Sequence, residues 1–287
     1  MSNAIKNRYD FIFLYDVKDG NPNGDPDQAN LPRVDAENQE GLVTDVCIKR
    51  KVRNYVAMKF EKASAKEKST HEIFITQGNV LGTIIDNAKG KEVKDRQETL
   101  CEQYWDIRTF GGVLSIGNKG AGTVRGPVQF TFSRSEDRIY QAEHTITRMA
   151  VATEDEAKKQ EKREFASTIG RKSTVPYALY RMHGFVSAVD AVKTGFSEDD
   201  LNLLWESLVN AFEHDRSAAR GEMNPRKLIV FKHDSHLGKA RSGELFELVK
   251  INKKEGGNEP PRSWNDYEVL PIDPKILPTG ITLIEKL

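Results

Sequence analysis

The residues between positions 20 and 53 hold the densest potential for chemistry in this chain. They read Gly20-Asn21-Pro22-Asn23-Gly24-Asp25-Pro26, then a polar loop containing Leu31-Pro32-Arg33, then Gly41-Leu42-Val43-Thr44-Asp45-Val46-Cys47-Ile48-Lys49-Arg50-Lys51-Val52-Arg53. Between residues 44 and 60 there are five Lys or Arg and one acid. A turn-rich loop feeding a basic helix start suits the binding of phosphates, because the first N–H groups and the positive dipole end of a helix both favour anions. Thr44 is the expected N-cap, and Asp45 suits the first turn. At about 100° per residue, Ile48, Val52, Tyr55 and Val56 form an apolar stripe. Lys49, Arg50 and Arg53 share one adjoining flank, and Lys51 falls on the other. Since Lys49 and Arg53 lie off the stripe, charge reversal at both is expected to abolish the grip on a phosphate backbone and spare the fold. An ordinary solvated basic face is the competing reading.

Other motifs were tested against the chemistry they would need. Asp19-x-Asn21-x-Asn23-Gly24 opens like a calcium loop, but Asn30 stands where a bidentate acid must close it, and prolines interrupt it. The spacing of Gly112 and Gly117 is that of a P-loop, yet Asn118 occupies the lysine position. Asp16, Asp25, Asp35 and Asp45 are near enough in sequence for a metal-dependent nuclease, although turn and cap roles explain most of them. His71, His144, His183, His214, His233 and His236 are scattered, and no Cys or acidic partner completes a metal set around His233 and His236. No serine or cysteine has a nucleophile's context. The expectation is no catalytic residue, no metal and no cofactor. Two further stretches remain open. The glycine-rich run at residues 117–126 carries Lys119 and Arg125 and is either a ligand-approach loop or a plain loop. Met149, beside Arg148 and upstream of Gly170-Arg171-Lys172, is either a wedge between bases or a core residue.

These residues need elements to position them. The chain has 287 residues, 38% hydrophobic and 30% charged, enough for one large domain with insertions or two small ones. No apolar run approaches the roughly 20 residues of a membrane helix, and the N-terminus is polar, without a signal core. With two cysteines only, Cys47 and Cys101, a disulfide scaffold is not expected, and the sequence fits a reduced cytoplasm. The 43 basic and 43 acidic residues cancel, but they are unevenly placed: residues 198–222 hold seven acids against two bases. Such a chain can meet a polyanion on one side and avoid it on the other.

Residues 9–17 read as a central strand, residues 44–60 as a helix, and residues 127–132 and 177–189 as strands. A helix capped by Ser197 with Asp200 in a capping-box position follows, then a strand at 227–231. A further strand is expected at 245–251, before a mostly irregular tail. The order strand, helix, strand, strand, helix, strand is that of an α+β, ferredoxin-like fold, the core of RNA recognition motifs. A single domain over residues 1–287 is expected, with insertions at about 61–95, lysine-rich and mobile, and about 141–176, protruding. The ribonucleoprotein signature is absent; His183-Gly184-Phe185-Val186 is a faint echo.

Residues 15–17, the loop at 20–26, Pro32-Arg33 and residues 41–53 resemble the backbone subunit of type I CRISPR interference complexes (Cascade), subtype I-C. Asp106-Ile107-Arg108-Thr109-Phe110-Gly111, Val124-Arg125-Gly126-Pro127-Val128-Gln129 and Thr145-Ile146-Thr147-Arg148-Met149-Ala150 agree with it, and the resemblance extends to about Phe231. It implies a modified RNA-recognition-motif palm with finger- and thumb-like insertions. Copies would stack in a helical filament along the spacer of a CRISPR RNA, beside other Cascade subunits, and present it to a target DNA strand. Carried over, the loop with Asn23 and Arg33, and the helix with Lys49, Arg50 and Arg53, would hold phosphates. Lys119 and Arg125 would line the same groove. Met149 would be the wedge, supported by Arg148, Arg171 and Lys172. The enzyme alternative is a metal-dependent endoribonuclease of the same superfamily, with Asp35 or Asp25 at its centre. A metabolic enzyme that binds a phosphorylated small molecule at the glycine run is the third.

Overall fold

The computed structural model describes residues 3–148, 150–161 and 168–287. The aromatic, β-branched run near the N-terminus forms β1, Tyr9–Gly20, buried without a break from Tyr9 to Val17. Alternation sends Phe11, Phe13, Tyr15 and Val17 to one face and Ile12 and Leu14 to the other. A strand apolar on both faces must be covered on both, and it is.

The principal further elements follow in order: β2 (Glu40–Val43), α1 (Asp45–Phe60), α2 (Leu81–Asn87), α3 (Val93–Gln103), α4 (Trp105–Phe110), β3 (Val128–Phe130), β4 (Ser133–Arg138) and β5 (Ala142–Arg148). Then come β6 (Thr168–Val186), α5 (Ala188–Thr194), α6 (Glu198–Val209), β7 (Glu222–His233), α7 (Ser242–Glu247) and β8 (Ile281–Glu285). The main sheet has the order β8-β7-β1-β6-β4-β2, and its pairings are antiparallel. β3 and β5 also pair with β6.

On one face α1 contributes Ile48, Val52 and Val56, and α6 contributes Leu201, Leu204, Trp205 and Leu208. Trp205 meets Phe11 edge-to-face at 5.0 Å between centroids. The expected capping box forms: Ser197 Oγ accepts from Asp200 N at 3.2 Å, and the Asp200 carboxylate accepts from Ser197 N at 2.9 Å. On the other face Ile12, Leu14, Leu179, Ile229 and Phe231 are covered by Leu245, Phe246, Val249 and Tyr267.

The structure corrects one expectation and adds detail to two. Residues 245–251 are not a strand: α7 ends at Glu247, and only Ile251–Lys253 is extended. Leu245, Phe246 and Val249 have the spacing of one helical side, and a short apolar run does not distinguish helix from strand by pattern alone. The tail is mostly irregular, as expected, but it carries β8, which joins the main sheet beside β7. The lysine-rich stretch after α1 contributes Phe74 and Ile85 to a separate core completed by Leu100, Cys101, Tyr104, Ile107, Leu114 and Val124. Its apolar residues are spread over some fifty positions, so no local window shows them together.

The second insertion contains β5, exposed along nearly its whole length, paired with the first residues of β6 as a two-stranded ribbon. Met149 lies outside the described residues. Gly184, in the faint ribonucleoprotein echo, serves packing: a Cβ there would stand 2.0 Å from the Phe11 ring. That ring is held edge-on by Phe130 and Trp205. Gly184→Ala should therefore destabilise the fold by about 1–3 kcal/mol through overpacking. The check is a lowered urea midpoint with an unchanged slope; an unmoved midpoint would refute it.

Candidate nucleic-acid interface

Covering both faces of the sheet removes the surface on which a simple RNA recognition motif stacks bases. His183 shows the consequence. Its ring stacks on Phe246 at 4.1 Å, and Arg181 donates to its Nε2 at 3.0 Å. Burial, then the neighbouring Arg181 charge, push its pKa down to about 4, so it is neutral at physiological pH. A ligand must use the ends and edges of the sheet.

At the end where β1 stops, three segments converge. Asn21 N donates to Ala219 O at 2.8 Å, and Asn21 Nδ2 donates to Asn30 O at 2.7 Å. Asn23 Oδ1 accepts from both Thr44 N and Thr44 Oγ1 at 2.9 Å. Thr44 occupies the N-cap position but makes no side-chain cap; its hydroxyl is spent on Asn23. The Asn/Pro/Gly loop is thus bolted to the first turn of α1 on one side and to residues 215–220 on the other. Between them lies a cleft of about 360 Å³ lined by Asn21, Pro22, Thr44, Arg50, Lys51 and Arg220, among others.

The basic residues of α1 separate into three environments. Arg50 is exposed and has no hydrogen-bond or ion-pair partner among the described residues. Lys49 is largely covered; its Nζ lies 2.9 Å from Asp45 Oδ2 and 5.5 Å from the centroid of the Phe110 ring. Arg53 is buried at 8% exposure and donates from Nε to Asp106 Oδ2 at 2.8 Å. Asp106 is wholly buried and also accepts from the N–H groups of Phe74 and Ile75. The expectation that Arg53 can be reversed in charge without harm to the fold is corrected: α4 packs on that flank and converts a nominal surface arginine into an internal tie. Lys51, on the other flank, is also buried and pairs with Asp215.

Arg33 lies 3.3 Å from Asp25 and keeps 29% side-chain exposure. The ribbon root is tied to the same loop, because Gln141 Nε2 donates to Pro32 O. On the ribbon His144 pairs with Lys172, Thr145 with Arg171 and Arg148 with Thr168. Alternation then places Arg148 and Lys172 on one face and Arg171 on the other. Arg171 is exposed, and neither it nor Lys172 has a partner among the described residues.

Lys119 and Arg125 are not brought to this end. The run that holds them follows the first insertion, and its Thr123–Arg125 pairs with Gly111–Val113 as a hairpin. Arg125 Nε lies 3.4 Å from Asp190 Oδ2 and remains 80% exposed, and Lys119 is exposed. That side adjoins Val186, which is opposite Tyr9, whereas Gly20 is opposite Val175. The separation along the strand is about 36 Å at ~3.3 Å per residue. Gly126 is required by its own neighbourhood, since a Cβ there would stand 2.2 Å from the Phe110 carbonyl carbon.

The four aspartates weighed for a nuclease have separate partners. Asp16 is buried and receives Tyr177, Asn224 and Arg226. Asp25 faces Arg33, and Asp45 faces Lys49. Asp35 receives Arg134 at 2.8 Å, and that bond, with the Glu37 N–H, holds its carboxyl below the usual range. Among the described residues no group of His, Cys, Asp and Glu is arranged to hold a metal ion, and no helix is long and apolar enough to cross a membrane.

Arg220 was missed in the sequence. It sits in the acidic stretch, and the only signal was its place beside Gly221, immediately before the strand that returns along β1. Its guanidinium lies 2.9 Å from Asp215, with 36% of the side chain exposed.

A family profile described as CRISPR-associated protein Cas7 matches residues 7–271. The chain is similar to a CRISPR-associated protein Cas7 of Haloferax volcanii, with 24% identity over 286 residues, covering 92% of this chain and 80% of that protein. Among solved structures it is similar to a chain of a CRISPR RNA-guided surveillance complex before nicking, with 13% identity, TM-score 0.49 and 78% of each chain covered. It is also similar to a chain of a type III-B Cmr-beta complex bound to cognate target RNA, with 13% identity, TM-score 0.43 and 78% of this chain against 61% of that one.

The two arginines give opposite predictions. Arg53→Glu should cost about 3–5 kcal/mol, the penalty for an uncompensated buried charge, and Arg50→Glu should leave the unfolding midpoint within error. Thermal unfolding of both variants is the check; equal stability would contradict the assignment.

Proposed function

The chain belongs to the Cas7 family of CRISPR-associated proteins, and we propose that it is a non-catalytic guide-RNA-binding backbone subunit of a CRISPR interference complex. The observation that carries this reading, beside the family, is the arginine-bordered cleft at the N-terminus of α1. It offers cationic ligands for phosphates from a fixed scaffold. A guide of arbitrary sequence has to be held in this way, through its backbone, with sequence delegated to base pairing.

In this reading Arg50, Arg220 and Arg33 hold phosphates at the loop end, and Arg171, Lys172 and Arg148 do so along the ribbon. Asn23 acts by fixing the loop, and Lys49 lends charge from a covered position. Met149, within the thumb-like insertion, remains the proposed wedge. Lys119 and Arg125 would meet nucleic acid or a neighbouring subunit at the far end. The strand order β7-β1-β6-β4, with α1 and α6 on one face, supports a ferredoxin-like palm with finger- and thumb-like insertions at about 61–95 and 141–176. The motifs at 20–26 and 41–53 favour subtype I-C. Copies would form a helical filament along the CRISPR RNA in the cytoplasm, contact other Cascade subunits and present the guide to a target DNA strand.

The non-catalytic reading is supported by Asp35, whose carboxylate is occupied by Arg134 and the Glu37 N–H. Incubation with complementary RNA and a divalent metal should give no cleavage; cleavage lost in Asp35→Ala would instead make this an endoribonuclease. Purified from its native operon, the protein should show a high ratio of absorbance at 260 to 280 nm, with guide-length RNA on sequencing. Protein free of nucleic acid would contradict the proposal. Arg50→Glu should lower affinity across all sequences and reduce the slope of log affinity against log salt by about one.

A further inference from the structure

We infer that the cleft at the N-terminus of α1 distinguishes ribose from deoxyribose, with Asn21 Oδ1 accepting a hydrogen bond from a 2′-hydroxyl while Arg50 and Arg220 hold the adjacent phosphate. The inference rests on the reading of this cleft as part of the guide-RNA cradle and adds a chemical selectivity to it.

Asn21 is buried at 7% exposure and lines the cleft. Its orientation is fixed. Nδ2 donates to Asn30 O, a carbonyl that accepts only, so the amide oxygen must be the other atom. The backbone is fixed as well, through Asn21 N and Ala219 O. Oδ1 nevertheless has no partner among the described residues. A buried amide oxygen without a donor is uncommon in folded proteins, and the asparagine is held in place by its nitrogen.

Several donors around the cleft are already engaged, and Arg50, which has no partner among the described residues, makes no hydrogen bond to Oδ1. Thr44 N and Oγ1 are both spent on Asn23. Lys51 Nζ is spent on Asp215, and Arg220 NH1 on the Asp215 carboxylate and carbonyl. A ligand bound in the cleft can supply the missing donor. The lining cations Arg50, Lys51 and Arg220 outnumber the lining acid Asp215, so the ligand carries negative charge. A group that pairs an anion with a neighbouring hydroxyl donor describes the 2′-hydroxyl and 3′-phosphate of RNA. DNA keeps the phosphate and lacks the donor.

The test compares the full chain's affinity for a single-stranded RNA of arbitrary sequence and for the same sequence with 2′-deoxyribose throughout, by fluorescence anisotropy. Asn21→Ala should reduce the preference for RNA by about fivefold, the factor that one hydrogen bond carries. Arg50→Ala should weaken both strands and leave their ratio unchanged, because a phosphate contact is common to both. If Asn21→Ala lowers both affinities together, through a damaged loop, or leaves both unaltered, the ratio stays constant and the inference is overturned. RNA binding by the wild type without any preference over the deoxy strand would overturn it too and leave the cradle standing. Failure of the wild type to bind either strand would overturn the cradle and the inference together.

Discussion

The burial of β1 on both faces is the constraint on which the rest of the structure depends. A strand with Phe11, Phe13 and Tyr15 on one side and Ile12 and Leu14 on the other has to be roofed twice. Helices α1 and α6 provide one roof, and α7 with the segment around Tyr267 provides the other. The familiar RNA-binding face of such a sheet is thereby closed, and the binding site we propose is at the end of β1. There the chain leaves regular structure and the loop, the start of α1, residues 215–220 and the ribbon root meet.

The same packing sorts the basic residues of α1. Four cations stand within the five positions 49–53, and different neighbours approach them. Asp106 on α4 draws Arg53 inside, Asp215 draws Lys51 inside, Asp45 and the Phe110 ring cover Lys49, and Arg50 remains for solvent. The internal pairs are positional devices. Asp106 joins α1 to the backbone of residues 74 and 75, and Asp200 joins α6 to Arg108 on α4 while completing its own capping box. The insertion is thus fixed to the helical layer by two buried arginine–aspartate pairs. Zero net charge and a basic binding surface are compatible, because many of the acids are consumed in such internal ties.

What the sequence revealed was whatever has a local cause. The strand at β1, the stripe on α1 and the capping box at Ser197 each depend on neighbours within a turn or two, and all were legible. The small core between Phe74 and Val124 was not, because its members are thinly spread among polar residues. The helix at Leu245 and Phe246 was not, because six residues do not separate the two periodicities. In the interface Arg50 was legible as a free basic residue, since nothing in the structure covers it. Arg53 was read as its equal, because only tertiary packing distinguishes them. Arg220 was hidden by acidic company, and Lys119 and Arg125 were grouped with the loop although a full strand length lies between.

The central claim is that nucleic acid contacts the loop end of the sheet and not its faces. Ultraviolet crosslinking of the RNA-bound protein, followed by mass spectrometry of the peptides, tests this most directly. Crosslinks should fall in residues 21–24, 44–51, 217–220 and the ribbon strands at 142–148 and 168–174. Crosslinks concentrated on α7 and the segment around Tyr267, or confined to residues 111–126, would contradict it.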